Sequence, residues 1–402
     1  MEFKGGFRED LKTGLKEDVN ILELYKKHLE PELSIILPCR NEEQALPYCL
    51  NQIKQVIKQH NLNAEIIVSD SSIDKSPEIA RKEKVILVKH DKEGYGIAYL
   101  EAFKHARGKY IFMADCDGTY DFNEIPNFLN SLKQGYDFVI GNRFAYSHEK
   151  GAMPWSHKYI GNPILSGLLR LFFGTTIKDS YCGMRAIKKQ ALERIDLQTT
   201  GMEFALDMVI KSLKYKLRIK ELPIHYHKRI GNSKLKTLLD GWRSIRFMLL
   251  YSPLYLFFIP GFILFFIGIT TLIWFSFTDP VLFGKTFYLH PMFLSAGLVI
   301  VGYQLITFSV FAKTYAIFHL NETSPLTKFY KYITIENASI TGILIAIAGA
   351  IIYLTVLIKW INSNFGYIEE TKTLILGLTL GIIGIQTIFS SFMLSILTIK
   401  ER

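Results

Sequence analysis

Beyond about Leu250 the chain is dominated by four apolar runs, at about 251–277, 291–312, 338–358 and 373–399, and no charged residue interrupts any of them. Each reaches the roughly 20 residues that a helix needs to cross a bilayer. In hydrocarbon every backbone N–H and C=O must find its partner inside the protein, so runs of this kind are expected to be helices. Gly377 and Gly381 make a GxxxG pair, and Gly342, Ala346 and Ala350 a small-residue face; both suit close helix packing. Transport sites at mid-depth usually carry ionisable residues or broken helices. These runs carry no charge, so residues 251–402 read as a membrane anchor.

Residues 31–228 have a different texture. Apolar strands at 33–37, 65–68, 85–88, about 109–114 and 137–140 alternate with helical stretches, the pattern of a doubly wound, mostly parallel α/β sheet. After each strand come the polar, unusual residues, at the sheet edge where such folds bind ligands. Residues 1–30 are polar and read as an extension. The segment from Gly151 to Gly174 mixes Trp155, Tyr159, Ile164 and Leu171 with Lys158 and Arg170, which suits a core helix or an interfacial one. The stretch 229–250 favours the second. It sets Lys234, Lys236, Arg243 and Arg246 beside Leu238, Trp242 and Ile245, an amphipathic basic helix fit for an anionic leaflet.

The net charge is +10; Lys and Arg are scattered through the first part and then concentrate beside the first apolar run, which points to a membrane surface and not to nucleic acid. Lys and Arg flank the spans so that an even number of crossings leaves both termini cytosolic. Cys39, Cys49, Cys116 and Cys182 form no CxxC pair, as expected in a reducing compartment. The charged N-terminus has no apolar core of a cleavable signal.

The chemistry centres on Tyr110-Ile111-Phe112-Met113-Ala114-Asp115-Cys116-Asp117-Gly118. Residues i and i+2 of an extended segment face the same way. Asp115 and Asp117 therefore either share one hard cation, Mg²⁺ or Mn²⁺, or simply open a surface loop.

In combination, several motifs resemble one family. They are Leu37-Pro38-Cys39-Arg40-Asn41-Glu42-Glu43, Val68-Ser69-Asp70-Ser71-Ser72, Gly94-Tyr95-Gly96, Asp115-Cys116-Asp117, Gly141-Asn142-Arg143-Phe144, Cys182-Gly183-Met184-Arg185 and Thr200-Gly201-Met202-Glu203-Phe204. Ahead of a membrane anchor, they are similar to family 2 glycosyltransferases of the GT-A fold, of the type that makes polyprenyl-phosphate (dolichyl-phosphate) mannose or glucose. The resemblance implies that Pro38, Arg40, Glu42, Asp70 and Ser72 hold a nucleotide-diphosphate sugar, UDP-glucose or GDP-mannose in type. It implies that Asp115 and Asp117 hold the metal that bridges the diphosphate. Arg143 and Arg185 would face the acceptor phosphate, with Arg185 paired to Asp179 as the structural alternative. Glu203 would close the acceptor side. The chain departs from the pattern at Ser69-Asp70-Ser71, where paired acids are usual, and at Thr119, where a Gln often stands near the metal; Asp121 or water would then complete the shell. The implied reaction is inverting hexose transfer to a polyprenyl phosphate. The readings set against it are transfer to a lipid hydroxyl with Glu203 as base, a processive polysaccharide synthase, for which no QxxRW motif is present, and a non-catalytic membrane scaffold.

Overall fold

The computed structural model describes residues 30–146, 149, 151–231, 237–282, 284–319 and 335–399. The chain divides into two units, Met1–Phe247 and Met248–Arg402. The polar extension, Lys234 and Lys236 lie outside the described residues.

In the first unit, β1 (Leu33–Cys39), β2 (Ala64–Asp70), β3 (Ile86–Lys89), β4 (Tyr110–Met113), β5 (Phe138–Asn142), β6 (Arg185–Lys188) and β7 (Ile219–Pro223) form one sheet in the order β3-β2-β1-β4-β6-β5-β7. The pairings are parallel except those of β6, which runs antiparallel to β4 and β5. Helices α1 (Leu46–Gln59), α2 (Ser76–Lys82), α3 (Tyr95–Phe103) and α4 (Ile125–Lys133) make the crossovers. This is the GT-A-like arrangement that the sequence predicts. Strands covered on both faces read as continuous apolar runs, and β1 from Leu33 to Leu37 is buried throughout. Its one polar member is satisfied: Ser34 donates to Glu65 at 2.7 Å and accepts the Gly108 N–H at 2.8 Å.

Helix α5 (Asn162–Phe173) has one buried face, and its segment has an exposed apolar one. Asn162, Leu165, Ser166 and Leu169 face inward, whereas Trp155, Tyr159, Ile164 and Leu171 are exposed. Helices α6 (Lys189–Ile195), α7 (Phe204–Lys214) and α8 (Thr237–Leu250) follow. The described part of the basic amphipathic stretch is helical from Thr237 to Leu250, and residues 224–230 run as an extended segment beside the acidic loop.

The second unit holds α9 (Ile259–Phe277), α10 (His290–His319), α11 (Ile335–Asn362) and α12 (Thr371–Thr398), with a short hairpin, β8 (Val281–Leu282) and β9 (Lys285–Thr286), between the first two. The spans Leu254–Phe277, His290–Phe318, Ile335–Asn362 and Thr371–Thr398 are each long and apolar enough to cross a membrane. α11 and α12 meet through small residues: a Cβ on Gly349 would fall 2.7 Å from the Gly381 nitrogen and 2.8 Å from the Gly377 carbonyl oxygen. α10 and α12 are joined by Tyr303–Thr387 at 2.6 Å and Gln386–Gln304 at 2.9 Å. Gly349→Leu is expected to destabilise this unit by about 1–3 kcal/mol, the usual penalty of overpacking, and thermal unfolding in detergent checks it. An unchanged melting temperature would show that the backbones need not approach so closely.

Candidate active site

The loops after β1 and β2 are laced together. The Asn41 N–H donates to Ser72 Oγ at 2.7 Å, the Ile73 N–H to Asn41 Oδ1 at 2.9 Å, and the Glu42 N–H to Ser76 Oγ at 3.1 Å. Asn41 takes the left-handed conformation (φ 53°) that turns the chain here. Arg40 reaches Glu93 at 2.6 Å on the open side. Asp70 is sealed beneath the loops, with 0% of its surface exposed. Ser72 Oγ donates to one carboxylate oxygen at 2.5 Å and Lys89 Nζ to the other at 2.7 Å. Asp70 holds Ser72 and Lys89, and Lys89, with 42% of its side chain exposed, is a cation presented here along with Arg40.

The acidic loop follows β4. Asp117 Oδ1 accepts the Thr119 N–H at 3.0 Å and the Thr119 hydroxyl at 2.5 Å. Its other oxygen accepts Arg229 Nη1 at 2.8 Å, while Arg229 Nη2 pairs with Glu42. Arg229 arrives on the segment after β7. There the His227 N–H donates to the Thr119 carbonyl and the Ile230 N–H to the Asp117 carbonyl, both at 2.9 Å. Gly118 (φ 80°) lies under Ile230, and any side chain at Gly118 would strike it. Asp115 faces the Tyr95 hydroxyl, which donates to it. It also lies against Gly183, where a Cβ would come within 2.5 Å of Asp115 Oδ2.

The arginines expected at the acceptor phosphate are both held by partners within the protein. Arg185 is 1% exposed, and its guanidinium donates to the carbonyls of Cys182 at 2.7 Å, Ser180 at 2.7 Å and Ala205. These bonds brace the 180–183 turn, and Asp179, the alternative partner expected for Arg185, pairs elsewhere. Asp179 belongs to Arg143, whose Nε and Nη2 donate to its two oxygens at 2.7 and 2.8 Å and whose backbone N–H adds a third bond at 3.0 Å. Arg143 is itself buried, over the ring of Tyr226. Asp121 Oδ1 accepts the backbone and side-chain N–H of Asn123, capping a helical turn. Glu203 is partly exposed at the start of α7. The neighbouring Thr200 and Gly201 carbonyls accept the N–H groups of Ile97 and Gly96 at 3.1 and 3.2 Å.

Arg229, Lys89 and the Tyr95 hydroxyl are the members that sequence reasoning did not single out. Arg229 and Lys89 each follow or end a strand, the position at which ligand-facing groups collect; for Arg229 that strand is β7, whose residues Ile219-Lys220-Glu221-Leu222-Pro223 form no apolar run.

Among the described residues no three His, Cys, Asp or Glu side chains converge on one point. Two carboxylates on one loop fit an oxygen-seeking divalent cation that takes its remaining ligands from a diphosphate and water. The electrostatics agree: burial, then the charge of Asp117, pushes the Asp115 carboxyl up to about 7. A group whose folded pKa is raised from 3.8 to about 7 takes up a proton on folding between those values. Stability of the metal-free protein is then greatest below the lower value and declines as pH rises to the upper one. Asp115→Asn is expected to melt higher than the wild type at pH 8 and at the same temperature near pH 4. The gain is on the order of 2 kcal/mol, after discounting the shift for solvent access to the cleft. Melts in chelator at both pH values check it.

The glycosyl transferase family 2 profile matches residues 34–196, and the profile of the glycosyltransferase family 2 C-terminal transmembrane region matches residues 310–398. The low-salt glycan biosynthesis hexosyltransferase Agl6 of Haloferax volcanii is 35% identical over 91% of this chain and 89% of its own length. The dolichyl-phosphate hexose transferase of the same organism is 31% identical over 52% of this chain and 89% of its own. The dolichol-phosphate mannosyltransferase of Pyrococcus furiosus is 29% identical over 53% of this chain and 62% of its own. With the sequence matched over 91% of its length by the first of these relatives, the chain belongs to glycosyltransferase family 2 and carries the family's C-terminal transmembrane region.

Proposed function

We propose that this membrane glycosyltransferase moves a hexose, with inversion, from a nucleotide-diphosphate sugar to a polyprenyl phosphate such as dolichyl phosphate at the cytosolic leaflet. It would use Mg²⁺ or Mn²⁺ and supply lipid-linked sugar for glycan assembly. The observation that carries the proposal is Arg229 bridging Asp117 and Glu42 beside the second acidic group Asp115, at the ends of β1 and β4, in a chain that also carries four membrane-length helices. The relatives' names support the hexose and the acceptor.

Asp115 and Asp117 would hold the cation. When bound, it supplies positive charge to the diphosphate that leaves. Arg229 presents a planar fork to two carboxylates, and the same fork suits phosphate oxygens. On donor binding it exchanges one set of anionic partners for the other. Pro38, Arg40, Glu42 and Ser72 shape the nucleotide side, joined by Lys89. The acceptor is a phosphate monoester with a second pKa of about 6, so it arrives ionised and needs no general base. Glu203 then borders the acceptor instead of abstracting a proton. The exposed Trp155, Tyr159, Ile164 and Leu171, with Trp242, Arg243 and Arg246 on the outer side of α8, suit a headgroup layer.

The test is a transfer assay in detergent with polyprenyl monophosphate, Mn²⁺ or Mg²⁺, and labelled UDP-glucose, UDP-N-acetylglucosamine or GDP-mannose in turn. One donor is expected to give a metal-dependent, acid-labile glycolipid. Transfer to diacylglycerol instead would overturn the acceptor assignment.

A further inference from the structure

The segment that carries Arg229 is pinned on both sides of that residue. The His227 N–H donates to the Thr119 carbonyl and the Ile230 N–H to the Asp117 carbonyl, both at 2.9 Å. Away from the acidic loop, His227 Nδ1 meets Glu149 Oε1 at 2.7 Å, and the His225 ring stacks on Tyr146 with centroids 4.5 Å apart. The guanidinium is thus delivered to one place. Its Nη1 donates to Asp117 Oδ2 at 2.8 Å, and its Nη2 pairs with Glu42.

A carboxylate offers about four acceptor positions, two on each oxygen. On Asp117 Oδ1 both are taken, by the Thr119 N–H at 3.0 Å and the Thr119 hydroxyl at 2.5 Å. A divalent cation on Asp117 must therefore bind Oδ2, the oxygen that Arg229 holds. Mg²⁺ sits about 2.0–2.1 Å from such an oxygen. Two positive charges would then crowd one atom, and the Asp117 side chain is only 8% exposed, so water screens their repulsion weakly. The seat of Arg229 is also incomplete. Its Nε is buried and, among the described residues, has no hydrogen-bond partner, and an unpaired buried donor carries a free-energy cost. The fork is held by charge and is open to exchange.

We propose that Arg229 is a tethered counter-cation that competes with the divalent cation for Asp117; the proposal rests on the reading of Asp117 as a cation ligand. Cation affinity is then set by where the guanidinium goes. An anion that engages the fork, a diphosphate above all, takes it off the aspartate, so cation and diphosphate favour each other's binding.

The experiment titrates the full-length protein in detergent, stripped of divalent ions, with Mn²⁺ and reads free Mn²⁺ by electron paramagnetic resonance. Arg229→Gln removes the charge and keeps an amide donor, and it is expected to bind Mn²⁺ about tenfold more tightly than the wild type. Arg229→Lys keeps the charge and should stay close to the wild type. Asp117→Ala added to Arg229→Gln should abolish the gain. A second readout needs no variant. Mn²⁺ at a concentration that fills the site is expected to speed phenylglyoxal modification of Arg229, followed by peptide mass, because its hold on Asp117 is released. Asp117-dependent Mn²⁺ binding that is equally tight in the wild type and Arg229→Gln would overturn the competition and leave the cation site standing. So would modification of Arg229 at a rate indifferent to bound Mn²⁺. Mn²⁺ binding that Asp117→Ala leaves untouched would overturn both the competition and the cation site on which it rests.

Discussion

Asp117→Ala is expected to lower hexose transfer by about a thousandfold or more, with the fold retained, because a preorganised group aimed at developing charge is commonly worth that much. The structure explains why function should suffer more than stability. Asp117 accepts one side of Arg229, but Glu42 holds the other, so the guanidinium keeps a counter-charge when the aspartate is lost. The strap beside it also keeps its backbone bonds, from His227 to Thr119 and from Ile230 to Asp117, since neither uses the Asp117 side chain. The initial rate should lose its dependence on Mn²⁺ concentration, while the melting temperature in chelator moves little. Asp117→Asn keeps the shape and the Thr119 bonds but removes the charge, and it should be nearly as inactive. Wild-type rates in either variant would remove the acidic pair from the cation site. Full loss of rate accompanied by collapse of the protein would make Asp117 a partner that Arg229 needs for folding.

Much of this architecture is legible in the residues because burial and pattern coincide. β1, β2, β4 and β5 are apolar runs that end in polar residues, and a strand covered on both faces must look like that. β6 and β7 do not. Arg185 opens β6 with a charge that is tolerable only because the carbonyls of Ser180, Cys182 and Ala205 surround it. β7 carries Glu221 because the Lys178 and Asp179 N–H groups donate to it at 2.9 and 2.8 Å. Those partners exist only in the folded chain. The site divides in the same way. Asp115 and Asp117 announce themselves by spacing. Arg229 pairs across 112 residues, and nothing local marks it apart from the other basic residues nearby. The motif arginines show the converse failure: type and position were legible, but side-chain direction was set by Asp179 in one case and by a ring of carbonyls in the other.

Asp179→Ala is expected to destabilise the first unit by about 3–5 kcal/mol, the usual effect of leaving a buried charge without its partner. Arg143→Ala should cost about as much. Both charges are enclosed, and three bonds of 2.7, 2.8 and 3.0 Å join them, so neither can turn to water when the other is removed. Replacing both by leucine should be less damaging than the two single losses combined, because a well-packed apolar pair avoids the desolvation penalty altogether. This cycle also separates the two roles open to Arg143. As a phosphate contact only, Arg143→Ala would raise KM for the acceptor and leave the melt unchanged, and Asp179→Ala would leave KM unchanged. As a brace, both single variants lose stability together, and the double variant recovers part of it. The guanidinium lies over the ring of Tyr226, whose bridge to Tyr120 ties the strap to the acidic loop. Loss of the brace should therefore loosen Arg229 as well, so that whatever rate survives in the folded fraction falls through the donor side and KM for the nucleotide sugar rises before KM for the lipid.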